Sequence, residues 1–219
     1  MCGRYVSPEQ ASIERAWKIE RTNSDPFPRR FNVQPTTAVP VLRLEEGART
    51  LCRARWGLIP HWWKQDKPPN FTINARLEEA SGKPLWRDPI RRSRCLLPAE
   101  GWFEWRETAS GKQPHYITRR DRRPFCFAGL LSTWRDTLSC AILTTQALGP
   151  VAEVHERMPV VLPEEDHAAW LDPALLDASV ATAMALAPMA PGDFEHFPVS
   201  RRVNDARNEA PDLIEPLRA

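Results

Sequence analysis

The sequence predicts an α+β fold, a curved antiparallel β-sheet or barrel core with peripheral helices, formed by one domain over residues 1–219. Three observations point there. Short strand-length runs follow one another closely from Arg94 to Gln146, separated by turn residues at Ser110-Gly111 and Asp121 to Pro124. Helical patterns occur only before and after that block. No repeat, linker or low-complexity tract divides the chain, and its 22 prolines are spread throughout.

Taken in order, Tyr5-Val6 is a strand-like pair, and Ser7-Pro8-Glu9-Gln10 reads as a helix start. Ser7 is its N-cap, Pro8 its first helical position and Gln10 the closing residue of a capping box. Ile13, Ala16 and Trp17 extend that helix to about Glu20. Arg21 to Arg30 is polar and broken by proline, so it reads as loop. A strand from Ala38 to Leu44 turns through Glu45-Glu46-Gly47 and returns from Thr50 to Ile59. His61 to Pro69 is loop, Phe71 to Arg76 a short strand entering a helix, and Lys83 to Arg92 a second helical piece. The strand block comprises Arg94 to Pro98, Gly101 to Glu107, His115 to Arg119, Phe125 to Thr133 and Leu138 to Gln146. Pro150 to Arg157 reads as helical, Val160 to Leu162 as a strand, and Glu164 to Leu186 as one or two helices. A last strand from Phe194 to Val199 precedes a polar tail.

Composition narrows the function classes. No run of about 18 apolar residues is present and no signal-peptide pattern opens the chain, so a cytoplasmic protein, neither membrane-inserted nor secreted, is expected. The five cysteines (Cys2, Cys52, Cys95, Cys126, Cys140) are odd in number and widely spaced, without a CxxC or histidine-paired spacing. No metal or other cofactor is expected. A net charge of +2 does not announce a nucleic-acid protein. Arginine nevertheless far outnumbers lysine, and nine tryptophans are many for 219 residues. Arginine suits bidentate phosphate contacts and tryptophan stacks on unpaired bases; arginine-favouring codons and a tryptophan-rich core satisfy the same counts.

Cys2 is the most informative single residue. If Met1 is removed, it carries an α-amine and a thiol on neighbouring carbons, a pair that can form an imine with an aldehyde and then close a five-membered thiazolidine through sulfur. Unperturbed, the two groups titrate near ~7.7–8.0 and ~8.5, within reach of neutral pH. Glu104 lies in Gly101-Trp102-Phe103-Glu104-Trp105-Arg106, where the strand period puts Trp102, Glu104 and Arg106 on one face. Apolar neighbours raise a carboxyl pKa and suit it to general acid/base work; pairing with Arg106 at the surface is the plain alternative. His155 sits before Pro159 beside Glu156 and Arg157, placed to shuttle protons or simply to meet a helix dipole. The other four histidines lack a comparable local setting. Asn74 and Arg76 share a strand face, fit either for holding a sugar oxygen and its phosphate or for a polar strand edge. Trp62 and Trp63 stand in a loop beside cations, suited to base stacking or to anchoring that loop.

Met1-Cys2-Gly3-Arg4, Asn32-Val33-Gln34-Pro35, Trp56-Gly57-Leu58-Ile59-Pro60, Ile73-Asn74-Ala75-Arg76, Gly101-Trp102-Phe103-Glu104-Trp105 and His155-Glu156-Arg157-Met158-Pro159 together resemble the SOS response-associated peptidase family, in family order across nearly the whole chain. The segments Val199-Ser200-Arg201 to Asn204 and Glu209 to Pro216 resemble its closing part. Glu156 departs from the aspartate usual in bacterial relatives, a conservative change. The resemblance implies a monomer that senses abasic sites in single-stranded DNA during the DNA damage response. It further implies autoproteolytic removal of Met1, a covalent thiazolidine crosslink through Cys2, and a lyase-type side reaction. By position it assigns catalysis to Cys2, Asn74, Glu104 and His155, and phosphate contacts to Arg76 and Arg157, with Arg4, Trp62 and Trp63 as further DNA-binding candidates. Two rivals stay open at this stage. One is a cysteine peptidase or amidohydrolase acting in trans through Cys2 and His155, and the other is a noncovalent single-stranded DNA binding module.

Overall fold

Alternation along the central strands, with both faces apolar, explains the layering in the computed structural model, which describes residues 2–70, 72–174, 181–182, 185 and 189–217. The elements run β1 (Tyr5–Ser7), α1 (Gln10–Trp17), β2 (Arg21–Asn23), β3 (Arg30–Val33), β4 (Ala38–Glu45), β5 (Ala48–Trp56), β6 (Asn74–Arg76), α2 (Leu77–Ala80) and α3 (Pro84–Arg92). They continue with β7 (Arg94–Ala99), β8 (Gly101–Thr108), β9 (Gly111–Arg119), β10 (Phe125–Trp134), β11 (Thr137–Gln146), β12 (Arg157–Pro159), β13 (Val161–Leu162), α4 (His167–Leu171) and β14 (Phe194–Pro198).

Two sheets form. The smaller has the order β14-β9-β8-β1-β3, the larger β12-β11-β10-β7-β4-β5-β2, with β13 beside β10 and β6 beside β11. In β10, Phe125, Phe127 and Leu131 face the smaller sheet, while Cys126, Ala128 and Leu130 face the helices. The same division holds for Cys95 and Leu97 against Leu96, and for Cys140 and Ile142 against Ala141 and Leu143. A period of two with both faces apolar is the pattern of a sheet covered on both sides. The inter-sheet core contains Tyr5, Trp56, Trp102 and Phe127, with edge-to-face contacts between Tyr5 and Trp56 and between Trp102 and Phe127. On the far face of the larger sheet, Ile13 and Trp17 of α1, Trp86 and Ile90 of α3 and Trp170 of α4 close a second core. Gly129 lies opposite Cys95 where β10 pairs with β7, and a Cβ there would stand 2.3 Å from Leu97 Cδ1, 2.9 Å from Cys95 Sγ and 3.2 Å from the Ala141 carbonyl oxygen.

The structure departs locally from the elements that the sequence predicts. Most pairings are antiparallel, but β2 and β11 run parallel to β5, and β6 parallel to β11. Ser7 belongs to β1, and α1 starts after Glu9 with no side-chain cap, because pairing of the first strand takes precedence over the capping box. The segment read as loop from Arg21 contains β2, an exposed strand added at the edge of the larger sheet, and ends in β3. Pro150 to Arg157 is not helical throughout: a 3₁₀ turn over Gly149–Glu153 gives way to β12, which pairs with β11. The polar tail is a packed layer, with Val203 and Leu213 buried against Phe103 and Tyr116 on the outer face of the smaller sheet. Of the helical reading over Glu164 to Leu186, Glu164–Asp166 is a 3₁₀ turn and His167–Leu171 is α4; part of the remainder lies outside the described residues.

Candidate active site

Cys2 is buried where the two sheets meet. The chain start is held as a strand would be: Tyr5 pairs with Val33 on one side and Trp102 on the other, and the Phe103 N–H donates to the Arg4 carbonyl at 3.0 Å. From the larger sheet, Asn74 Nδ2 donates to the Cys2 carbonyl at 2.8 Å. Asn74 is itself placed by β6, whose residue pairs with Ile142, and by the Trp56 indole N–H, which donates to the Ile73 carbonyl at 2.9 Å. Asn74 Oδ1 is buried without a hydrogen-bond partner among the described residues, an acceptor facing no donor.

Glu104 enters from β8. The predicted facing holds: Trp102 lies in the inter-sheet core and Glu104 is 2% exposed, while Phe103 and Trp105 pack outward under the C-terminal segment. Burial raises the Glu104 carboxyl to about 7. His155 follows the 3₁₀ turn, and its Nε2 lies 4.0 Å from Glu104 Oε2. Its Nδ1 accepts the Arg157 N–H at 2.9 Å, so the neutral ring carries its proton on Nε2, toward the carboxylate. Burial holds His155 below the ordinary imidazole value. The Cys2 thiol is pushed well above its ordinary value by burial and then by the Glu104 charge. Near pH 7 the site therefore combines a carboxyl able to give or take a proton, a neutral imidazole donor and a thiol kept protonated.

Beyond this cluster lies a rim of charge. Arg157 leaves β12 and its two terminal nitrogens meet Glu78 Oε1 and Oε2 at 2.9 and 2.8 Å, while Nη2 also donates to the Thr144 carbonyl at 2.7 Å. Arg76 pairs with Glu79 at 3.4 Å. Arg4, a DNA-binding candidate in the sequence, has its guanidinium on Asn32 Oδ1 at 2.7 Å and on the Val203 carbonyl at 3.0 Å. Asn32 Nδ2 in turn donates to the Val203, Asp205 and Asn208 carbonyls, so this pair ties the chain start to the closing segment. Trp62 and Trp63 share the loop leading to β6. Trp62 is 46% exposed, whereas Trp63 donates to the Lys67 carbonyl and its own carbonyl accepts from the Trp134 indole.

The structure thus brings Cys2, Asn74, Glu104 and His155 together, puts Arg76 and Arg157 on an adjoining rim, and engages Arg4 in packing. The chain belongs to the SOS response associated peptidase (SRAP) family. Its family model matches residues 1–206. The chain is similar to abasic site processing protein YoqW of Bacillus subtilis, 34% identical over 98% of this chain and 99% of that one. It is also similar to abasic site processing protein YedK of Escherichia coli, 32% identical over 99% and 100%. Among solved structures, a phage-related protein from Bordetella bronchiseptica aligns with a TM-score of 0.73 and 33% identity over 91% of this chain and 95% of that chain. A protein from Bacteroides thetaiotaomicron shares the fold, with a TM-score of 0.84 at 23% identity over 99% and 100%.

Sequence reasoning about this SRAP site missed Glu78 and Thr144, the partners of Arg157, and also the pairing of His115 Nδ1 with His196 Nδ1 at 3.1 Å, backed by Glu153 at 3.5 Å from His196 Nε2. Glu78 stands two residues after Arg76 and carries a local signal. The histidine pair joins positions 81 residues apart and has none.

Proposed function

We propose that the protein processes abasic sites in single-stranded DNA by forming a thiazolidine crosslink through Cys2 once Met1 has been removed, shielding the lesion during the response to DNA damage. The observation that carries this reading is the set of groups around Cys2: a carboxyl raised to about 7 whose charge acts on the Cys2 thiol, an imidazole 4.0 Å from that carboxyl, and an amide that grips the Cys2 carbonyl. Met1 itself lies outside the described residues. Its removal is a hydrolysis: one water enters, free methionine leaves and the Cys2 amine is released. Self-cleavage, with Glu104 moving the protons, is the route that the family name supports.

An abasic deoxyribose opens to an aldehyde at C1′. The Cys2 amine adds to C1′, Glu104 transfers a proton to the resulting hydroxyl, and water leaves to give an imine. The thiol then adds to the imine carbon: a sulfur–carbon bond forms, the thiol proton moves to nitrogen, and the ring closes without oxidation or reduction. Amine and thiol share one residue, so closure gains the effective concentration of an intramolecular step, up to ~10⁵–10⁸ M in favourable cases. His155 Nε2–H protonates the sugar oxygen as the furanose opens, and Asn74 Oδ1 accepts from a sugar hydroxyl. A bare imine favours β-elimination and strand cleavage, so the thiol decides between protection and lyase chemistry. Arg76 and Arg157 hold the flanking phosphates, and Trp62 offers a stacking face. Arg4 serves mainly to fix the chain start. The protein acts as a cytoplasmic monomer.

Denaturing gel electrophoresis of the purified protein with a single-stranded oligonucleotide bearing one abasic site tests this reading. A heat-stable shifted band with the wild type, absent with Cys2→Ser although binding is retained, is expected. Equal bands from the two proteins would overturn it.

A further inference from the structure

The rim of the site pairs both of its arginines with carboxylates from the first turn of one short helix. Arg157 is the more informative. Its side chain is 14% exposed, whereas that of Glu78 is 44% exposed, so the carboxylate lies on the solvent side of the guanidinium. The fork is bidentate, the geometry that guanidinium also adopts with phosphate. Glu78 is not what fixes Arg157 in place. The backbone of Arg157 is registered opposite Gln146, and Nη2 is anchored from below by the Thr144 carbonyl at 2.7 Å and the Thr144 hydroxyl at 3.4 Å. Glu78 gains a second contact from the Thr145 hydroxyl at 3.3 Å, which holds it over the fork. Beside it, Arg76 and Lys83 share Glu79.

We infer that Glu78 is a resident carboxylate occupying the phosphate position of Arg157, so that a DNA phosphate must displace it to bind. The inference rests on the proposed DNA-binding role of this rim and adds a specificity element to it. Intact single strands, which gain nothing from chemistry at Cys2, meet the competition of Glu78 at every encounter. An abasic strand passes through the same weakened encounter and is then retained by the covalent step. Selectivity thereby shifts from phosphate affinity to the reaction at C1′.

The test is fluorescence anisotropy at low ionic strength with a labelled single-stranded oligonucleotide carrying a tetrahydrofuran abasic analogue, which has no C1′ hydroxyl and cannot open to the aldehyde. Glu78→Gln keeps the shape of the side chain and removes the charge. It is expected to tighten binding by roughly two- to fivefold, the scale of one partly exposed ion pair. The gain must vanish when Glu78→Gln is placed on an Arg157→Gln background, which reports coupling rather than a general change in net charge. Glu78→Ala provides a second variant with the same expected direction. Binding by Glu78→Gln and Glu78→Ala that equals or falls below wild type, or an undiminished gain without Arg157, would overturn the inference. Absence of binding by the wild type would instead count against the DNA-binding reading beneath it.

Discussion

The floor and the rim of the site are built on opposite electrostatic plans. On the floor, Cys2 and Glu104 are buried, and burial itself drives their proton affinities upward. On the rim, Arg76, Glu78, Glu79 and Arg157 form ion pairs open to solvent, and Glu78 is held below the ordinary carboxylate range chiefly by its hydrogen bonds from Arg157. The same residue type, glutamate, thus has its carboxyl raised to about 7 in one place and held charged in the other. Desolvation decides the first and a neighbouring guanidinium the second. The proposed chemistry draws on the floor and the proposed recognition on the rim.

The largest expected effect breaks the floor. Inserting an alanine between Met1 and Cys2 ties the Cys2 nitrogen into an amide after normal start processing, and adduct formation on denaturing gels should disappear while binding of the tetrahydrofuran oligonucleotide persists. Glu104→Gln comes next. Removing a positioned acid/base group slows a proton-transfer step by ~10²-fold or more, read as the single-turnover crosslinking rate. The same variant sharpens the contrast through stability. Glu104 has its folded pKa raised from 4.5 to about 7, so its contribution to wild-type stability is fully present below pH 4.5, is lost as the pH climbs to 7 and is level above that. Urea denaturation should therefore show Glu104→Gln gaining on wild type across this window, by up to about 3 kcal/mol. No such pH-dependent gain is expected for Glu78→Gln, whose carboxyl is stabilised in its charged form.

Asn74→Ala should slow crosslinking by about tenfold, the scale of losing one hydrogen bond that positions Cys2, without altering the salt dependence of binding. The smallest effect belongs to the rim. Arg76→Gln should weaken binding a few-fold and flatten the plot of log K against log salt by about 0.7, one phosphate contact on a single strand.

How much of this the sequence revealed follows the range of the interactions. The face of β8 was legible because Trp102, Glu104 and Phe103 obey a two-residue period, and the hairpin of β4 and β5 because its turn is local. Cys2 was conspicuous by position alone. The meeting of Asn74 with Cys2, 72 residues apart, could be named through family likeness but not through any local rule. The engagement of Arg4 was hidden because its partners, Val203 and Asn204, come from a tail that reads as polar and loose. Local pattern predicts a helix up to Arg157, whereas pairing of Met158 with Thr145 draws the chain after the 3₁₀ turn into a strand. In that segment strand pairing overrules local helical propensity.

The central claim is best tested by intact-mass analysis of the product formed with an abasic single strand. The account predicts one species, whose mass is the protein lacking Met1 plus the oligonucleotide minus one water, with the link mapped to Cys2. An adduct retaining Met1, or one attached at any residue other than Cys2, would contradict it.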